Sequence, residues 1–409
     1  MALKKETNAP HRTKGLVRAT DDDECSESDR LLWLKDARFG VFFHWGTYAV
    51  HAHGSWAMHQ EAIPAETYRQ LAYRFKPRKG WADEWMDLVV GSGARYAVLT
   101  TKHHEGYCLF PTKTTDYNAA QTGPGRDLIR EYVDACRRAK VKVGFYYSAP
   151  DWRFGLDPIT PDSGDLYSRY KDSTRAQVEE LCTNYGPIDL WWWDGEPPDV
   201  DETLRWMREA QPKMVINDRC GRELDCASCE KEIRPPADIK RPWECCTTSN
   251  EHWGYFGPGD IKWLRDVDAI HWLVTCASWE GNLLLNIGPK ADGTLPAKAV
   301  SHFTRIGEWL EVNGESIYGT RRSSLSGGAG GATTARGEAA YLHILHYLAP
   351  EYVILSPRVR VLSARVLSTG QELNVRQEGE RVIISGLPRR APDRRDTVVV
   401  LKTDGCAEA

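Results

Sequence analysis

The chain carries almost no excess charge of either sign. Its 53 Lys and Arg nearly balance 57 Asp and Glu, for a net −4 over 409 residues. Nothing therefore draws it electrostatically to nucleic acid or to an anionic membrane as a partner. It lacks any apolar run near the roughly 18 residues of a membrane span. Residues 1–36 are polar and charged and lack the apolar core of an export signal. The chain as it stands thus reads as cytoplasmic, although a secreted or periplasmic protein trimmed of its signal would look the same. No internal repeat is evident. The 11 cysteines are odd in number and are not spaced like a disulfide scaffold. Cys226 and Cys229 form a C-x-x-C beside Cys220, Cys245 and Cys246. A clean second pair is missing because Cys245 and Cys246 are adjacent, so reduced structural thiols fit better than zinc.

What is present is an ordinary soluble composition, 41% hydrophobic and 27% charged, in a chain long enough for two domains. Tryptophan is abundant, at 16 residues. Indole faces suit the C–H faces of sugars, but they equally fill large cores, so the count alone decides nothing.

Short apolar runs alternate with longer amphipathic stretches from residue 39 to about 290. The runs are 39–45 (FGVFFHW), 96–102 (YAVLTTK), 141–148 (VKVGFYYS), 188–194 (IDLWWWD), 214–217 (MVIN) and 282–287 (NLLLNI). Helix-like segments at 65–75, 80–91, 126–140, 168–184 and 201–211 separate them, and 151–165 reads as loop. Strands buried on both faces and joined by helices are the pattern of parallel βαβ units. So many in succession favour a TIM-like (β/α) barrel within the α/β class. Polar residues gather at one end of the strands: His44, then His103 and His104, Tyr147 and Ser148, Asp194, and Asn217, Asp218 and Arg219. Barrel active sites form at the C-terminal strand ends, whereas a purely structural placement would scatter such residues.

The barrel closes near Gly293, and 295–314 reads as a further helix. A Gly/Ser-rich stretch at 323–331 follows, and then a period of two in short runs at 340–348, 352–355, 359–367, 372–377, 381–385 and 397–402. These are the signals of a C-terminal antiparallel β-sandwich. The expected organisation is a polar arm at 1–30, a catalytic barrel at 31–320 and an accessory sandwich at 332–409.

Asp194 ends the run Trp191-Trp192-Trp193-Asp194-Gly195. A carboxylate at a strand end among aromatics suits a nucleophile facing a sugar ring, but Asp-Gly is also a common turn pair. Retaining glycoside hydrolysis needs a second carboxyl group about 5–5.5 Å away.

Several segments together resemble glycoside hydrolase family 29, the retaining α-L-fucosidases. They are 37–46 (ARFGVFFHWG), 98–106 (VLTTKHHEG), 144–152 (GFYYSAPDW), 189–195 (DLWWWDG), 215–219 (VINDR) and 281–293 (GNLLLNIGPKADG). The resemblance implies a barrel followed by a β-sandwich, a substrate with a non-reducing-terminal α-L-fucosyl residue on an oligosaccharide or glycoconjugate, and no cofactor or metal. It implies Asp194 as nucleophile, and His44, His103, His104, Tyr147, Trp192 and Arg219 around the sugar, with Trp56 retained from a further segment. The acid/base follows the Asn-Asp-Arg strand by about a dozen residues in the family, which points to Glu230. The match there is degraded: Cys226 stands for an aromatic residue, and Ser228-Cys229 stand for Thr-Pro. Glu244 is the rival, and Glu280 a weaker third. Ser55 stands where the family has Glu before Trp56, so one carboxylate contact is missing or comes from Glu61 or His59.

Other readings stay open. A fucose-binding protein without turnover would need neither carboxylate. A hydrolase for a related sugar, such as an α-L-galactoside, differs at C6. A metal-dependent hydrolase using His103, His104 and Glu105 fits poorly, because adjacent strand residues point to opposite faces. Homo-oligomerisation is also open.

Overall fold

The computed structural model describes residues 27–155, 160–233, 235, 241–257, 261–348 and 350–409, with side chains from residue 30 onward. The polar arm expected at 1–30 lies outside these residues except for the first turn of the helix Glu27–Ala37.

Eight parallel strands curl into a TIM-like sheet: β1 Phe39–Phe43, β2 Tyr96–Lys102, β3 Lys142–Ser148, β4 Leu190–Asp194, β5 Val215–Ile216, β6 Ala227–Glu230, β7 Trp243–Thr248 and β8 Asn282–Ile287. Their order is β5-β4-β3-β2-β1-β8-β7-β6. The two edges meet at the parallel bridge Asn217↔Cys226, where the Cys226 amide donates to the Ile216 carbonyl at 3.3 Å. Alternate side chains divide between two apolar layers, as a period of two dictates. Phe42, Tyr96, Val98, Tyr146, Leu190, Trp192, Cys246 and Leu284 fill the interior. Val41, Leu99, Phe145, Tyr147, Trp193, Cys245 and Leu285 face outward into the layer beneath the helices.

The helices cover that outer layer. In Leu128–Ala139 the Asp127 side chain caps the N-terminus by accepting from the Arg130 amide, and Lys140 ends the helix in a left-handed conformation. Its buried stripe of Leu128, Ile129, Tyr132, Val133 and Cys136 follows the helical repeat. The segment expected as one helix at 65–75 is two short ones, Ala65–Arg69 and Leu71–Arg74.

Two barrel strands were not apparent in the sequence. β6 reads ASCE and β7 reads WECCTT, so neither has an apolar run. These strands account for much of the cysteine cluster: Cys245 and Cys246 alternate outward and inward on β7, and Cys226 abuts β6. Among the described residues no group of cysteines converges as metal ligands.

Eight antiparallel strands follow the barrel: β9 Arg321–Arg322, β10 Ala332–Arg336, β11 Ala339–Ile344, β12 Glu351–Leu355, β13 Val361–Val366, β14 Glu372–Glu378, β15 Arg381–Ser385 and β16 Thr397–Thr403. One core joins Ala340 and Leu342 of β11, Val399 and Leu401 of β16, and Ile354, Val382 and Ile384 of β12 and β15. The sheet therefore folds over itself as a sandwich. The opposite faces of β11 and β16 carry Tyr341 and Val398 into the barrel's helical layer. Between the two units, His343 Nδ1 meets Asp396 Oδ2 at 2.7 Å, both side chains fully buried, and the Trp309 indole donates to the Asp396 carbonyl at 3.3 Å.

Candidate active site

A cavity of about 290 Å³ opens at the C-terminal ends of the barrel strands, lined in part by His44, Trp56, His103, His104, Trp192, Asp194, Arg219 and Glu230. Three donors converge on the Asp194 carboxylate. The Tyr146 hydroxyl donates to Oδ2 at 2.6 Å, His104 Nε2 approaches Oδ2 at 3.3 Å, and an Arg219 terminal nitrogen donates to Oδ1 at 3.0 Å. Burial alone would push this carboxyl's pKa up. The His104 hydrogen bond and charge, the Arg219 charge and the Tyr146 hydrogen bond outweigh burial and hold it well below the usual carboxylate value. These contacts thus favour the ionised form of Asp194.

The other terminal nitrogen of Arg219 donates to Glu230 Oε2 at 3.0 Å, so one guanidinium holds both carboxylates. Arg219 also lies over the Trp192 ring, 5.2 Å from its centroid. Glu230, the last residue of β6, is the more exposed of the two, with 38% of its side chain accessible against 20% for Asp194.

The imidazoles are fixed by partners behind them. His44 Nδ1 sits 2.7 Å from Asn286 Oδ1 and must donate there, which leaves Nε2 as an acceptor facing the cavity. Burial pushes the His44 pKa down to about 3, so the ring is neutral. His103 Nδ1 meets Glu105 Oε2 at 3.3 Å, and His104 Nδ1 meets Ser148 Oγ at 2.5 Å. A buried ion cluster lies under the β3 loop. Lys102 Nζ is 3.2 Å from Asp151 Oδ2, and the Arg153 guanidinium grips the same carboxylate. The cluster leaves no room for a side chain at Gly106, where a Cβ would fall 2.4 Å from Arg153 Nε and 2.5 Å from Asp151 Oδ1. That loop presents Trp152 behind Trp56 and His104, with ring centroids 5.3 and 5.2 Å away.

Five expectations change. Tyr147 is not a cavity residue; its hydroxyl donates outward to Gln177 Oε1 at 2.7 Å, and Tyr146 takes the inward position. β3 is buried on both faces and reads Phe-Tyr-Tyr at 145–147, so hydrophobicity could not set its phase. His103 and His104 do not point to opposite faces. Both lie beyond the last residue of β2, where strand alternation no longer applies, and their ring centroids are 4.3 Å apart. Glu61 does not replace the carboxylate missing at Ser55; it pairs with His51 and His53 outside the cavity. Glu244 is buried inside the barrel below the cavity, accepting from the Trp192 indole at 2.9 Å and from the Tyr96 hydroxyl. Glu280 precedes β8 at the opposite end of the barrel.

An alpha-L-fucosidase family model matches residues 8–315. The chain belongs to the alpha-L-fucosidase family. It is 31% identical over 400 residues to the tissue alpha-L-fucosidase of Rattus norvegicus, spanning 88% of this chain and 86% of that protein. Among solved structures, alpha-L-fucosidase isoenzyme 1 from Paenibacillus thiaminolyticus superposes with a TM-score of 0.85 at 35% identity, covering 92% of this chain and 99% of that one. A Bacteroides thetaiotaomicron alpha-L-fucosidase of glycoside hydrolase family 29, trapped as a covalent intermediate with 2-fluoro-fucosyl fluoride, gives 0.83 at 26% identity over 95% of this chain and 98% of that one.

Besides Tyr146, the pocket contains two aromatic residues that the sequence does not single out. Phe42 forms part of its floor and Trp253 part of its wall, with Trp253 4.9 Å from His44 by ring centroid. The Asn286 amide ties Trp253 in place by donating to its carbonyl at 2.7 Å. Phe42 sits within the quoted first-strand motif, two residues before His44, so its inward phase could have been inferred from that histidine. Trp253 lies in a loop without pattern. Of the 16 tryptophans, Trp45, Trp81, Trp85, Trp191, Trp193 and Trp309 are fully buried core, so a large share of the abundance is packing. No described helix is long and apolar enough to cross a membrane.

Proposed function

We propose that the pocket hydrolyses terminal α-L-fucosyl residues by double displacement, with Asp194 as nucleophile and Glu230 as acid/base. The observation that carries this reading is Arg219 holding both carboxylates on one guanidinium, beside a nucleophile kept ionised. The Asp194 carboxylate attacks the anomeric carbon, the glycosidic C–O bond breaks, and the departing oxygen takes a proton from Glu230. Glu230 then takes a proton from water, whose oxygen attacks the same carbon and releases Asp194. To act as an acid, Glu230 must turn away from Arg219, and its exposed position at the rim of the barrel allows this.

The neutral His44, together with His103 and His104, is assigned to the sugar hydroxyls. Trp56, Trp192, Phe42 and Trp253 are assigned to the ring and the C6 methyl group. The packed floor beneath Trp192 admits a terminal sugar and supports exo action. All residues lining the pocket precede residue 254. This supports reading 31–320 as the catalytic unit and 332–409 as accessory.

The test is azide rescue of Asp194→Gly. The variant should fold and lose nearly all turnover of 4-nitrophenyl α-L-fucoside. Azide should restore part of the rate and yield the β-fucosyl azide, through a single inverting displacement. Wild-type turnover in the variant, or an α-azide product, would overturn the assignment of Asp194.

A further inference from the structure

Outside the sugar pocket, two imidazoles and a carboxylate meet on the segment that follows β1. His51 Nε2 lies 2.8 Å from Glu61 Oε2, and His53 Nδ1 lies 2.8 Å from Glu61 Oε1. The potential ligand atoms of all three side chains fall within 4.8 Å of one another. Among the described residues no other trio of His, Cys, Asp or Glu converges in this way.

The backbone is bent at both ends of the cluster. Ala52, between the two histidines, has φ +65°, and Ala62, directly after Glu61, has φ +50°. The left-handed region is unfavourable for a residue with a Cβ, and such conformations persist where the surrounding structure imposes them. At Ala52 that surrounding is visible. The Gly257 amide donates to the Ala52 carbonyl at 2.7 Å, the Gly54 amide donates to the Tyr255 carbonyl at 3.0 Å, and His53 bridges to Phe256. The histidines are thus held by backbone bonds to a second loop, and the half-exposed side chains leave an entry path from solvent.

We propose that His51, His53 and Glu61 bind one divalent cation of the zinc class, through His51 Nε2, His53 Nδ1 and a Glu61 oxygen, with water completing the coordination. Two imidazoles with one carboxylate match zinc(II), cobalt(II) or nickel(II), whereas calcium and magnesium take oxygen donors. The residues between His53 and Glu61 carry Trp56 and the short helix Ala57–Gln60. A cation joining the two ends would clamp the segment that presents Trp56 to the pocket.

The test uses the untagged full chain, stripped with a chelator and titrated with zinc(II) by calorimetry and with cobalt(II) by visible absorption. One ion per chain is expected, with a rise in thermal midpoint on adding zinc. His53→Ala and Glu61→Gln should each weaken zinc binding at least tenfold and abolish the zinc-induced rise. Both changes fall on partly exposed side chains, and Glu61→Gln preserves shape if His53→Ala disturbs the loop. Absence of saturable binding, unchanged affinity in both variants, or a thiolate-to-cobalt absorption band would overturn the site.

Discussion

The hydroxyl of Tyr146 donates to Oδ2 of Asp194 across 2.6 Å. Its neighbour Tyr147 bonds Gln177 on the other side of the sheet. Adjacent tyrosines therefore predict opposite phenotypes. Tyr146→Phe should lower kcat/KM by roughly 10–100-fold, the effect of losing about 1.4–2.7 kcal/mol at the transition state. Tyr147→Phe should leave turnover near wild type and cost about 1 kcal/mol of stability, because Gln177 Oε1 loses a buried donor. Steady-state kinetics and urea unfolding on the two variants check this, and a reversal of the two phenotypes would return Tyr147 to the pocket.

The pH profile should report the Arg219 charge. Burial works to raise the Asp194 pKa, and His104, Arg219 and Tyr146 overcome it, so this carboxylate stays ionised into acidic pH. Removing a positive charge favours the protonated carboxyl. Arg219→Met should therefore move the acid limb of kcat/KM toward neutral pH and lower its plateau on the order of 100-fold. An acid limb that stays in place would mean that Arg219 does not govern the ionisation of Asp194.

The sequence made the polar strand ends legible because barrel topology carries them to one rim. His44, Asp194 and Arg219 could be placed without knowing any side-chain phase. Phase itself was hidden wherever both faces of a strand are buried: Phe145, Tyr146 and Tyr147 are all apolar-compatible, and only tertiary packing decides which ring points inward. β6 and β7 were hidden for another reason. Ser228, Glu230, Glu244 and Thr247 interrupt any apolar run, and these strands persist through their ladder bonds to β8 and each other. The sandwich was read more easily, because β11 and β16 alternate between two distinct cores. β10, reading ATTAR beside a glycine-rich turn, carries too little apolar character to announce itself.

Glu105 should set part of the stability profile. Burial raises its pKa from 4.5 to about 8. The folded state therefore binds the proton more tightly than the unfolded chain. The neutral carboxyl costs nothing below about pH 4.5, and the penalty for holding it in the fold grows until about pH 8. Glu105→Gln, which never ionises, should gain on wild type across that window, by up to a few kcal/mol at its upper end. Urea midpoints at pH 5, 6.5 and 8 measure the difference. A gap that does not widen with pH would show that Glu105 is not held neutral.

The two remaining glutamates can be told apart by chemistry. Glu244 has its pKa raised to about 7 by burial and is enclosed by Tyr96 and Trp192, so no leaving group reaches it. Glu244→Gln keeps an acceptor for the Trp192 indole and a polar partner for Tyr96, and it should retain kcat within about threefold, with any loss tied to the orientation of Trp192. Glu230→Ala removes the proposed proton donor, and the damage should depend on the leaving group. Turnover of an alkyl fucoside, whose oxygen needs a proton to depart, should fall about 10²–10⁴-fold. Cleavage of the 4-nitrophenyl fucoside to the covalent intermediate should fall far less, and the intermediate should then accumulate as a burst of nitrophenol, because no base remains to activate water. Azide needs no base, so it should relieve this second step and give the α-fucosyl azide with net retention. A burst and azide relief in the Glu244 variant, with neither in the Glu230 variant, would transfer the acid/base role to Glu244.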